Sequence, residues 1–195
     1  MKNMLLIAAG AASLLFPAAA GAQAVPAAII AVVDLEKVTT DCNACKTAGA
    51  ALRGKATALQ NRAKTLATPL ETEGKAIQAS IDALKGAEPD AALQARVKAF
   101  ESKRQAAQQE YQRSQDQLQR DQQYIQKQIG DKLGPIYQQV MQKRGANVLL
   151  EVGSTLATST SVEVTSDVVG ALNAALPTIA TTAPAAPAQQ QPQGR

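Results

Sequence analysis

Two cysteines carry the one pattern in this 195-residue sequence with evident chemical potential, Cys42-Asn43-Ala44-Cys45. A redox-active C-x-x-C needs a strand–helix–strand setting that lowers the thiol pKa, and the flanking sequence does not supply it. A zinc site needs more ligands, yet the chain holds no other Cys and no His. Three readings remain: a disulfide at the start of a helix, a pair of free thiols, or a redox pair. The disulfide is preferred in an oxidising compartment. Lack of His also removes imidazole general bases, and there is no Gly-rich phosphate loop, G-x-S-x-G or Ser-His-Asp set. The carboxylates are scattered along helical faces, where solvation is their ordinary fate. The chain reads as non-enzymatic, with no cofactor and no metal.

The element that must position this pair is long. From Lys46 to Arg144 the larger side chains recur at alternating steps of four and three. Leu52, Ala56, Leu59, Ala63, Leu66, Leu70 and Ile77 form one row; Leu93, Val97, Phe100, Ala107, Tyr111, Leu118 and Ile125 form a second. This is the heptad rhythm of helices packed along a narrow seam. Polar residues at Arg104, Ser114 and Asp121 dilute the second row. Residues 86–90, Gly-Ala-Glu-Pro-Asp, break and restart the helix, with Pro89 suited to a first turn. The spacing therefore predicts an antiparallel helical hairpin over residues 41–145, capped at its start by Thr39, Thr40 or Asp41. Gly49, Gly54 and Gly74 each weaken the outgoing arm by ~1 kcal/mol relative to Ala. Pro69 costs ~3 kcal/mol in a helix interior, so a kink is expected there. Toward the base of the return arm the rhythm slips to Ile125, Ile129, Leu133, Ile136 and Val140, a stutter that unwinds a supercoil. With Gly130 and Gly134-Pro135 nearby, a bend or restart is expected at Pro135.

The hairpin is mounted on a small head. Residues 25–40 contain Ile29-Ile30-Ala31-Val32-Val33, a short β-branched run that reads as a buried strand. Residues 146–176 contain a second strand over 146–152, weaker strands over 154–160 and 161–164, and a closing helix. Thr165 is the expected cap of that helix, Asp167 lies in its first turn, and Val168, Val169, Leu172 and Leu176 form its apolar face. The fold class is α+β: a coiled-coil arm inserted into a small β head. So small a head buries little surface, which makes oligomerisation the natural remedy.

The ends read differently. Lys2, the apolar run Met4 to Phe16 and Ala22-Gln23-Ala24 make residues 1–24 a cleavable secretory signal, its apolar run too short to span a bilayer. From Pro177 to Arg195 the Pro/Ala/Gln-rich chain has too few large apolar groups to order itself and reads as disordered. Charge is segregated. Residues 41–145 hold seventeen basic and eleven acidic side chains, whereas the head and tail are net acidic. The basic excess gathers near the base, at Lys46, Arg53, Lys55, Arg62 and Lys64 going out and Arg113, Arg120, Lys127 and Lys132 coming back. Such a zone attracts anionic protein clients, and it allows weak contact with an anionic membrane surface. Without stacking aromatics in the basic zone, nucleic acid is not an expected partner. A solvated basic face is the plainer alternative.

These residues resemble the Skp/OmpH family of periplasmic chaperones. The resemblance rests on Ile30 to Val38 as opening strand and turn, Ala146 to Leu150 as the strand after the hairpin, and Val162 to Asn173 as closing segment. It implies a homotrimer whose strands form a small barrel, with Ile30, Val32, Val33, Val148, Leu149 and Leu150 as head residues. It also implies a periplasmic location and an ATP-independent holdase that encloses unfolded outer-membrane proteins between its arms. The basic residues named above are the candidate client-facing side chains on the charge reading; the best-known family members are basic toward the arm tips, whereas this chain is basic nearer the base. Glu163 stands where the family usually has Asp, and the C-x-x-C and the tail are additions to its pattern. The competing reading is a structural coiled-coil spacer or adaptor of the envelope.

Overall fold

The computed structural model describes residues 25–185. The expected signal (residues 1–24) and residues 186–195 of the tail lie outside them. Among the described residues, no helix is long and apolar enough to cross a membrane. In order the elements are β1 (Ile30–Val33), α1 (Leu35–Asp41), α2 (Asn43–Ala83), α3 (Ala91–Arg144), β2 (Val148–Glu151) and α4 (Thr165–Ala175).

β1 and β2 pair in parallel, Ile30 opposite Val148 through to Val33 opposite Glu151. Asn147 seats the register: its Oδ1 accepts from Ile29 N–H at 2.7 Å and its Nδ2 donates to the Ala27 carbonyl at 2.8 Å. The weaker strands expected over 154–160 and 161–164 do not form. Short 3-10 turns occupy Val152–Ser154 and Thr160–Val162, and a single bridge joins Glu163 to Val32. Ser and Thr side chains bond to nearby backbone there instead of leaving it for a ladder, as Ser154 and Thr155 do. The described head thus contains a two-stranded sheet.

Its core is compact. Val33, Val38, Cys42, Ile136, Val140, Val168 and Leu172 pack together, so strand, short helix, arm base and closing helix share one apolar interior. α1 is an element the sequence reading passed over. Asp34 caps it by accepting from Lys37 N–H at 2.8 Å, and burial of Val38 fixes it in place. Thr39, Thr40 and Asp41 therefore lie inside α1 and cap nothing. Cys42 caps α2, its Sγ accepting from Cys45 N–H at 3.2 Å. Nor is Thr165 a cap in the expected sense. Its buried hydroxyl accepts from Asp34 N–H at 3.0 Å, joining the start of α4 to the β1–α1 junction.

The two arms run as single helices. α2 passes through Pro69 and α3 through Gly134-Pro135 without interruption, so the restart expected at Pro135 is absent. Both prolines are exposed, and the carbonyls they leave unpaired, of Thr65 and Asp131, lie on exposed residues where water can satisfy them. Gly74, read as a weakness, has a packing use: a Cβ there would lie 3.3 Å from the Phe100 ring. At the tip Lys85 and Gly86 adopt positive φ, and Asp90, not Pro89, starts the return helix by accepting from Leu93 N–H at 2.8 Å. Gly145, at φ 67°, ends α3, with Ala146 N–H returning to the Met141 carbonyl at 2.9 Å.

Candidate functional site

Most of the seam stays partly open. Along α2 beyond Ala48 only Ile77 is buried, and along α3 only Asp121, Ile125, Ile136 and Val140 are. Leu52, Leu59, Leu66, Leu70, Val97, Phe100, Tyr111 and Leu118 are half-buried. Two helices can cover one side of each other and no more, so these side chains keep an accessible flank. Between the arms lie two apolar hollows. One, of about 300 Å³, is lined by Leu66, Leu70, Ala107 and Tyr111 among others. The other, of about 370 Å³, is lined by Ala58, Leu59, Leu118, Lys55, Asp121 and Thr182 among others.

Asp121 is the centre of the second hollow and the residue that sequence reasoning undervalued. It stands at a seam position, between Leu118 and Ile125, where it reads as dilution. The structure buries it to 1% exposure. Its carboxylate accepts from Lys55 Nζ at 2.5 Å, from Gln117 Nε2 at 2.7 Å and from Ala183 N–H at 2.8 Å. Burial pushes this carboxyl up, but the three donors outweigh it and hold Asp121 below the usual carboxylate range. A charge removed from water needs several such partners, and here they come from both arms and the tail.

The tail itself is the second surprise. Disorder was expected from Pro177 onward, yet residues 177–185 are ordered against the arms. Ile179 packs on the head core. Gln128 then grips both backbone groups of Ala180, Oε1 accepting from Ala180 N–H at 3.0 Å and Nε2 donating to Ala180 C=O at 2.9 Å. Lys55 Nζ donates to the Thr181 carbonyl at 2.5 Å and to Thr182 Oγ1 at 2.9 Å. The segment is a strap across α2 and α3. Composition argued against order because beyond Ile179 the strap has almost no apolar mass; what holds it there are polar side chains far away in sequence.

The basic residues near the base do not act as one free surface. Lys55 is committed to Asp121 and the strap, Arg62 pairs across the arms with Glu110 at 2.5 Å, and Lys127 pairs along its helix with Asp131 at 2.7 Å. The Arg62 hydrogen bond draws the Glu110 carboxyl below its ordinary range. Arg120 is half-buried and donates to Gln117 at 2.5 Å, while Arg113 bonds Gln109 at 3.2 Å. Lys46, Arg53, Lys64 and Lys132 are exposed and make no ion pair among the described residues. Of the candidate head residues, Val32 and Val33 are buried, Val148 and Leu149 are half-buried, and Ile30 and Leu150 lie exposed along the sheet. Cys42 and Cys45 are joined by a disulfide inside the head core. Among the described residues no cluster of acids, Cys or His could hold a metal.

Comparison with known proteins agrees with this architecture. No curated protein matches the sequence significantly. Among solved structures, a Caulobacter crescentus CB15 protein, described as a candidate outer membrane chaperone (OmpH-like), superposes with a TM-score of 0.67. It is 21% identical, and the alignment covers 86% of this chain and 96% of that one. At that identity the likeness is one of fold. The model of the family described as outer membrane protein (OmpH-like) matches residues 29–172, from the start of the sheet into α4. Head and hairpin are therefore matched together, and the chain belongs to the OmpH-like family.

Proposed function

We propose that this protein is a periplasmic, ATP-independent holdase that keeps unfolded outer-membrane proteins from aggregating, working as a homotrimer. The observation that carries the reading is the unfinished seam. Over most of the hairpin the apolar side chains are half-buried, neither hidden as core nor exposed as a single patch. A surface of that kind offers many weak contacts to an unfolded chain and no single tight one. Holding lowers the free concentration of aggregation-prone client by mass action and needs no catalytic group. Lys46, Arg53, Lys64 and Lys132 add attraction for acidic segments of the client.

Assembly is supported by what the head leaves uncovered. Among the described residues no strand pairs with the outer edge of β2, and Ile29, Ile30, Leu150 and Leu156 are exposed nearby in sequence to the sheet. An open edge beside apolar side chains favours pairing with another copy. Two measurements test the reading. A urea-unfolded outer-membrane β-barrel protein is diluted into buffer with and without the purified chain, and light scattering is followed. Suppression at near-stoichiometric ratio is expected; unchanged aggregation rejects the holdase. The native mass from light scattering should be that of a trimer, and a monomer rejects enclosure between arms.

A further inference from the structure

We propose that the groove formed by Lys55, Asp121 and Gln128 is a binding site for non-helical polypeptide, and that the chain's own strap, residues 179–183, occupies it as an internal competitor of the client. The proposal builds on the holdase reading and assigns it a specific subsite.

The chemistry of the contact is what points there. Four of the five bonds to the strap go to its main chain: the N–H and C=O of Ala180, the C=O of Thr181 and the N–H of Ala183. Only Thr182 Oγ1 is a side-chain contact. Side chains that read a partner's backbone tolerate many sequences, which is the tolerance that a binder of unfolded chains requires. The same groove gains little from the strap's side chains. The hollow of about 370 Å³ beside Thr182 is walled by Ala58, Leu59 and Leu118, and a threonine does not fill it. An unfolded segment carrying Leu, Val or an aromatic residue at that position keeps the backbone bonds and adds apolar burial. The strap therefore holds the site by being tethered, at a high effective concentration, and a client displaces it by fitting better.

The strap can be released without touching the groove. Proline has no N–H, so Ala180→Pro and Ala183→Pro together remove the two donors to Gln128 and Asp121 in the full-length chain. A fluorescein-labelled peptide of residues 177–185 is the probe, read by anisotropy. The double-proline protein should bind the peptide at least about tenfold more tightly than the unaltered chain, since two backbone hydrogen bonds no longer hold the site closed. An excess of an unfolded outer-membrane barrel protein should displace the peptide, and adding Gln128→Ala should abolish its binding. In the other direction, Thr182→Leu in the full chain should reduce client affinity by filling the hollow from within. Failure of the peptide to bind the double-proline protein overturns the groove. Binding that a captured client does not displace overturns the competition. If the peptide binds normally but neither protein suppresses client aggregation, the holdase reading fails while the groove stands.

Discussion

In the head, Val38, Cys42, Val168 and Leu172 are completely buried within a few helical turns of one another. In the arm, a hairpin more than twice as long buries Ile77 and almost nothing else until Asp121 and Ile125 near its base. The two regions differ in composition, the head rich in Val and Thr and the arm in Gln, Lys and Arg, and the contrast shows where stability and availability are placed. The head concentrates its apolar contacts and becomes an anchor. The arm spreads them thinly and remains a surface. Asp121 is the exception: a point in the arm with the burial of a core residue, held by polar partners.

The sharpest way to break this contrast is Leu172→Ala. It should destabilise the protein by about 2–5 kcal/mol in denaturant titration, while Leu59→Ala in the arm should cost well under half as much. Equal costs would mean that the arm is core after all. Removing the disulfide with Cys42→Ala and Cys45→Ala should cost roughly 2 kcal/mol, from the loop it closes, and leave aggregation suppression intact. Loss of holding at unchanged stability would restore a redox role for the pair.

Asp121→Asn tests the exception. It should lower stability by roughly 1–2 kcal/mol by weakening the Lys55 contact, and it should expose residues 180–185 to proteolysis while the head resists. Acid should mimic it. The Asp121 carboxyl is held below its ordinary range, so its contribution is present above the unfolded value of about 3.9 and is lost as pH falls through the lower folded value. Asp167 behaves likewise in the head, where first the Arg144 and then the Lys143 hydrogen bond hold its carboxyl down and tie α4 to the end of α3. Strap protection from protease should thus be flat from pH 7 to about 4 and fall below that. The smallest effect should come from Arg62→Gln. The pair with Glu110 is exposed, and its removal should leave the unfolding midpoint unmoved at physiological salt.

Much of the architecture was legible because it is periodic. The β-branched run at residues 29–33 and the four-and-three rhythm after Lys46 encode β1 and the hairpin directly, and Val168 with Leu172 mark α4. What stayed hidden depends on distant partners. The seven-residue α1 forms because Asp34 caps it and Val38 finds a core built by α3 and α4. Prolines at 69 and 135 look like breaks until their exposure is known. The strap was the least legible, since Thr, Ala and Pro carry no pattern and the order is imposed by Gln128 and Asp121. An acid standing in an apolar register was the one available clue, and it is a clue to a buried partner more than to a weak seam.

The parallel joining of β1 to β2 has a consequence for how the molecule comes into being. Ile30 and Val148 are neighbours in the sheet but are separated by the whole hairpin in the chain. During synthesis β1 is made early and waits, its buried face without a partner, until α3 is complete. Hairpin formation is a local event that can run ahead, because each added turn meets a nearby one. Once α2 and α3 zip together, the ends they carry arrive side by side, and the loop that β1 and β2 must close shrinks from the full insertion to the few residues at the base. The arm is thus the assembly jig of its own anchor, and a lesion at its far tip should delay the head more than it weakens it.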